Sequence, residues 1–126
     1  MLRYRRQEGF RFTFNKPIPV LFTIKEVDGN KVESSEGMAT MMDISPNGLK
    51  LNTALNIPIS KPNQIKVSVR FQLNDTLFQV NGMVIWREEK YNHFLYGVQF
   101  SIDDQEQEEL INHLKSYVKS TADNTE

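Results

Sequence analysis

Two short stretches of this sequence carry side chains suited to recognising a small anion. The first is Arg5-Arg6-Gln7-Glu8-Gly9-Phe10-Arg11, near the N-terminus. A guanidinium is permanently charged, planar and able to donate two parallel hydrogen bonds, which suits phosphate oxygens and the O6/N7 edge of guanine. The second is Asp43-Ile44-Ser45-Pro46-Asn47-Gly48. Here a carboxylate accepts from N–H donors such as guanine N1 and N2, a hydroxyl two residues on points to the same side, and a glycine lets backbone come close to a ligand. Each stretch also has a plainer reading, the first as a solvated basic terminus and the second as an Asx-type turn.

Little in the chain supports catalysis. Its two histidines are His93, in the polar run Tyr91-Asn92-His93-Phe94, and His113, beside Asn112. General acid–base work and nucleophilic work both need partnered groups, and neither histidine has an acid pair at ligand or triad spacing. The expectation is a protein that is not an enzyme, with no metal and no cofactor. The absence of cysteine excludes disulfides, thiolate zinc sites, iron–sulfur clusters and a cysteine nucleophile, which suits a reducing compartment. No run reaches the roughly 18 apolar residues of a membrane span, and MLRYRRQEGF lacks the apolar stretch of a secretory signal. A cytoplasmic chain without membrane insertion is therefore expected.

Charge is unevenly spread. The net charge of −1 over 126 residues divides into +4 in residues 1–16, balance in 17–100 and −5 in 101–126. A binder of nucleic-acid polymer is usually basic throughout, so this distribution points to one small anion met by one end of the chain.

Those residues must be held by strands. Apolar residues alternate in Ile18–Val27, in Gly37–Ile44 with Gly48–Thr53, in Gln64–Leu73 with Leu77–Trp86, and in Phe94–Ser101. Asp28-Gly29-Asn30, Ser45-Pro46-Asn47 and Asn74-Asp75 are the turn signals between them, and Gly48 is expected to add conformational freedom to the second. After Asp103 the period changes: Leu110, Ile111, Leu114, Tyr117 and Val118 recur at helical spacing, and Asp103 with Glu106 can form a capping box. The expected fold is all-β, a small six-stranded antiparallel barrel with one C-terminal α-helix covering an open end. Its expected divisions are an arginine-rich loop over 1–16, barrel and helix over 17–119, and a frayed tail over 120–126. Met38, Met41, Met42 and Met83 are expected as core or rim filler, and Phe71, Phe78, Trp86 and Phe100 as barrel core.

The order of these features resembles a PilZ domain. An arginine-rich leader is followed by a strand, by Asp43-x-Ser45-x-x-Gly48 at a strand junction, by Val84-Ile85-Trp86-Arg87, and by Tyr96-Gly97-Val98-Gln99-Phe100 ahead of a closing helix. The resemblance covers nearly the whole chain. It implies a receptor for cyclic di-GMP, with Arg5, Arg6 and Arg11 holding phosphate and guanine edges and Asp43, Ser45 and Gly48 lining the surface where a guanine rests. It also implies an adaptor whose arginine leader folds over the ligand and changes the surface shown to a protein effector in motility, adhesion or exopolysaccharide export. Arg6 and Arg11 are separated by four residues, where the family commonly shows three. That departure motivates an alternative, a degenerate PilZ-like module that binds only protein. A third reading is a barrel for single-stranded nucleic acid, with Tyr4, Phe10 and Phe12 stacking among the arginines; the lack of net positive charge on the other strands weighs against it. Association into a homo-oligomer is left open.

Overall fold

Alternating apolar residues commit one face of each strand to a common interior, and six such strands bury that face best by closing on themselves. The computed structural model describes residues 11–32, 34–57 and 65–123. Along the chain come β1 (Phe12–Val27), β2 (Asn30–Lys31), β3 (Gly37–Ser45), β4 (Gly48–Thr53), β5 (Ile65–Leu73), β6 (Thr76–Glu89), β7 (Phe94–Phe100) and α1 (Asp104–Asp123). The barrel runs β1-β3-β4-β7-β6-β5, and β5 returns to pair with β1. All pairings are antiparallel. The two-residue β2 is an addition to the six expected strands; it only folds back on the end of β1, through Val27↔Asn30 and Glu26↔Lys31.

The interior is filled by Val20, Phe22, Met41, Ile44, Leu49, Leu51, Val67, Val69, Phe71, Val84, Tyr96 and Val98. Asp28 and Asn74 take the left-handed conformation in their turns (φ 52° and 55°), which short polar side chains tolerate. No helix among the described residues is long and apolar enough to cross a membrane.

α1 closes one end, as the change of period predicts. Leu110 and Leu114 enter the core. The Glu106 amide donates to Asp103 Oδ1 (2.7 Å) and the Asp103 amide to Glu106 Oε1 (3.1 Å), which is the expected capping box. Gln107 ties the helix to the β3–β4 turn, with Nε2 donating to the Pro46 carbonyl (2.9 Å) and to Asn47 Oδ1 (3.2 Å).

Several boundaries differ from the sequence expectation. β1 begins at Phe12, whereas a loop was expected through residue 16. Its early start is stabilised by the helix: Phe12 and Phe14 meet edge-on at 4.9 Å, and both rings contact Tyr117 at 6.5 and 5.7 Å. α1 continues to Asp123, beyond the expected fraying point at 120. Met41 is fully buried, but Met38, on the outward phase of the same strand, is 77% exposed and fills no core.

Two substitutions should separate packing from capping in urea unfolding followed by circular dichroism. Leu110→Ala leaves a cavity under the helix and is expected to cost about 2–5 kcal/mol. Asp103→Ala removes only the cap and is expected to cost about 1 kcal/mol.

Candidate functional site

Strict alternation along β3 would turn Asp43 into the barrel. Ala39 and Met41 face inward, and two residues after Met41 the same phase would bury a carboxylate among apolar side chains. A β-bulge prevents this. Met41 pairs with Leu51 and Asp43 with Lys50, so Met42 is an extra residue with no partner on β4. The strand is rephased there: Ile44 enters the core, while Asp43 and Ser45 share the outer face. They remain shielded, at 6% and 5% exposure, because neighbouring groups cover them.

Arg11 is the principal cover. It immediately precedes β1, whose Thr13 pairs with Asp43 and whose Phe12 pairs with Ile44, so the backbone register itself delivers Arg11 to the carboxylate. Arg11 Nη1 donates to Asp43 Oδ1. Lys50 Nζ lies 3.5 Å from Oδ2, the other carboxylate oxygen. The Ser45 hydroxyl donates to the Gly48 carbonyl and accepts from the Asn47 amide, both at 3.3 Å, and so closes the β3–β4 turn. The serine hydroxyl is thus engaged with backbone partners inside the turn. Gly48 has no positive φ, and conformational freedom is not what the position needs. A Cβ there would lie 2.2 Å from the Val98 carbonyl oxygen, so the glycine is required by the close approach of β4 to β7.

The opposite wall is Trp86, which was expected inside the barrel. A second bulge explains the difference. Val84 pairs with Val98 and Trp86 with Gly97, which leaves Ile85 as the extra residue. Val84 stays in the core and Trp86 emerges on the outer face, 41% exposed. Its indole lies across Gly97, where a Cβ would fall 2.0 Å from Nε1. A cavity of about 380 Å³ opens between Arg11, Asp43, Lys50, Trp86 and Gln99. It offers two cations, one carboxylate acceptor and an aromatic face, a set that fits a planar heterocycle with N–H donors joined to a phosphate.

Of the six candidate ligand residues, the structure gathers Arg11, Asp43, Ser45 and Gly48 around this one cavity. Arg5 and Arg6 lie outside the described residues. Lys50 and Trp86 are additions. Lys50 was within reach of sequence reasoning, since it stands two residues beyond Gly48 on an alternating strand; Trp86 was not, because its phase depends on a bulge. His93 and His113 do not line the cavity. His93 Nδ1 contacts Asn92 Oδ1 (2.9 Å), and His113 Nδ1 contacts the Glu109 carbonyl (3.0 Å) while its ring meets Phe78 edge-on. Among the described residues no cluster of three or more His, Cys, Asp or Glu could hold a metal ion.

Comparison with known proteins places this fold. The family model for the PilZ domain matches residues 4–119. Among solved structures, the PilZ domain of CeSA from a cellulose-synthesizing bacterium is 20% identical with a TM-score of 0.59, over 83% of this chain and 93% of that one. The PilZ domain of YcgR from Escherichia coli, solved with c-di-GMP, is 14% identical with a TM-score of 0.61, over 92% and 96%. The Bacillus subtilis inhibitor of motility MotI (DgrA) is 11% identical with a TM-score of 0.55, over 93% of this chain and 56% of that one. These likenesses show a shared fold. A search of curated proteins gives no match.

The indole wall makes a direct prediction. Gly97→Ala should displace Trp86, and because the chain has a single tryptophan, the displacement should appear as a shift in intrinsic emission with the far-ultraviolet dichroism unchanged. Unaltered emission would contradict the packing of the indole on Gly97.

Proposed function

From its membership of the PilZ domain family, to which this chain belongs by the match over residues 4–119, we propose that the protein is a receptor for cyclic di-GMP. The observation that carries this reading is the meeting of Arg11 with Asp43 on the outer face of the barrel, beside an exposed indole. Cyclic di-GMP presents two phosphodiesters and two guanines. The guanidinium of Arg11 suits a phosphate or the O6/N7 edge, Asp43 suits the N1–H and N2–H donors, and Trp86 suits the purine face. Arg5 and Arg6 belong to the same proposed ligand set, as do Ser45, whose hydroxyl sits in the turn beside Asp43, and Gly48, which lets that turn lie flat against β7.

Binding is the whole of the proposed chemistry, since the cavity offers a recognition set and no partnered nucleophile or general base. Output then comes from shape. Arg11 pairs with Asp43; on binding it turns to the ligand, so that the surface around the start of β1 changes. A protein effector in motility, adhesion or exopolysaccharide export, met in the cytoplasm, would read that change.

Calorimetric titration tests the reading, with linear GMP and GTP as controls. The wild-type chain should release heat with cyclic di-GMP and not with the linear nucleotides. Each charge-assisted bond contributes roughly 1.5–3 kcal/mol, so Arg11→Ala and Asp43→Ala should each weaken binding by about tenfold to a hundredfold while the dichroism stays β-rich. Wild-type affinity in both variants would overturn the site assignment. Silence in the wild-type titration would favour a module that binds protein alone.

A further inference from the structure

The two oxygens of Asp43 have separate partners. Arg11 holds Oδ1 and Lys50 lies against Oδ2. The partners also differ in freedom: the Arg11 side chain is 53% exposed, that of Lys50 is 36%, and the carboxylate between them is 8%. Transfer of Arg11 to a ligand phosphate would take the guanidinium off Oδ1. A carboxylate so shielded from water is poorly solvated and is strongly destabilised when its cation departs. Lys50 stands ready to prevent this.

We propose that Lys50 is a positioning residue for ligand recognition, the stand-by counter-ion that holds the Asp43 carboxylate in place while Arg11 transfers from it to the incoming phosphate. The inference rests on the binding reading given above and goes beyond it. Its basis is local geometry. Departure of Arg11 frees Oδ1 for the guanine N–H donors, whereas Oδ2 keeps its cation, so acceptance from the base and release of the arginine do not compete.

Charge arithmetic supports the handover. Arg11, Asp43 and Lys50 together carry one net positive charge, which matches the single negative charge of one phosphodiester. With Lys50 present, the transfer leaves two neutral pairs, Arg11 with phosphate and Lys50 with Asp43. Without it, one guanidinium faces two anions, and the cluster is left with one net negative charge. Backbone pairing fixes the arrangement, because Lys50 on β4 is the register partner of Asp43 on β3 and of Gly97 on β7, so its side chain rises on the outer face between the carboxylate and the indole wall. On β6, Glu88 also feels the charge of Lys50, although its own hydrogen bond from Lys90 acts on it more strongly. Lys50 has no closer acidic partner than Asp43 among the described residues.

A double-mutant cycle read by calorimetry with cyclic di-GMP tests this. Lys50→Met keeps the length of the side chain and removes the charge; it should weaken binding by about tenfold. Lys50→Arg should recover most of that loss. In an Asp43→Asn background, which has no carboxylate to neutralise, Lys50→Met should have little further effect, because the lysine acts through Asp43. A tenfold loss that persists in the Asp43→Asn background would overturn the handover and make Lys50 a direct phosphate contact. An undiminished affinity for Lys50→Met alone would overturn it as well, while leaving the receptor reading intact. Absence of heat with the wild-type chain removes the receptor reading and the handover with it.

Discussion

A carboxylate kept almost out of water on the outside of a barrel is the constraint from which the rest of this site follows. Asp43 is 6% exposed, and a charge in that position persists only if cations and hydrogen bonds replace the lost solvation. The chain meets the requirement from both sides, with Arg11 arriving ahead of β1 and Lys50 rising from β4. An acid that needs two cations collects positive charge at one point of a protein whose net charge is −1. The same carboxylate thus provides a hydrogen-bond acceptor for a base and a local excess of positive charge for a phosphate.

Barrel closure and site construction draw on one device. Unbroken alternation would close the barrel with Asp43 and Trp86 both inside, since each lies in phase with core residues earlier on its own strand. Single-residue bulges at Met42 and Ile85 turn both outward without interrupting the apolar interior, where Ile44 and Val84 remain buried. Between them, β4 and β7 run so close that Gly48 admits no Cβ, and the Trp86 indole lies so close over Gly97 that none fits there either. The result is a cavity with an ionic wall and an aromatic wall on a floor of backbone. Closing the end of the barrel with α1 also steadies this region, because Gln107 grips the β3–β4 turn that carries Ser45 and Gly48.

Much of the architecture was legible locally. The strands from Gly37 to Ser45 and from Ile65 to Leu73 start or end within a residue or two of where alternation places them, and the helix begins at its capping box. The early start of β1 was not legible, because it depends on the pairing of Phe12 with Ile44 on β3 and on the packing of Phe12 and Phe14 against a tyrosine about a hundred positions later. Met38 shows the reverse limit: its residue type suggests burial, yet its position opposite Leu21 on the outward phase of β3 decides otherwise.

Residue types, their spacing and the charge distribution determined that this chain has an arginine leader, an acid and hydroxyl two residues apart, a β-rich body and one capped helix. These are properties of neighbours along the chain, and hydrophobic period and charge report them directly. Which way Asp43, Ser45 and Trp86 face, and that Lys50 stands over the second carboxylate oxygen, were settled only in three dimensions. A bulge is defined by the number of residues on the strand alongside, and no strand carries that count within its own sequence.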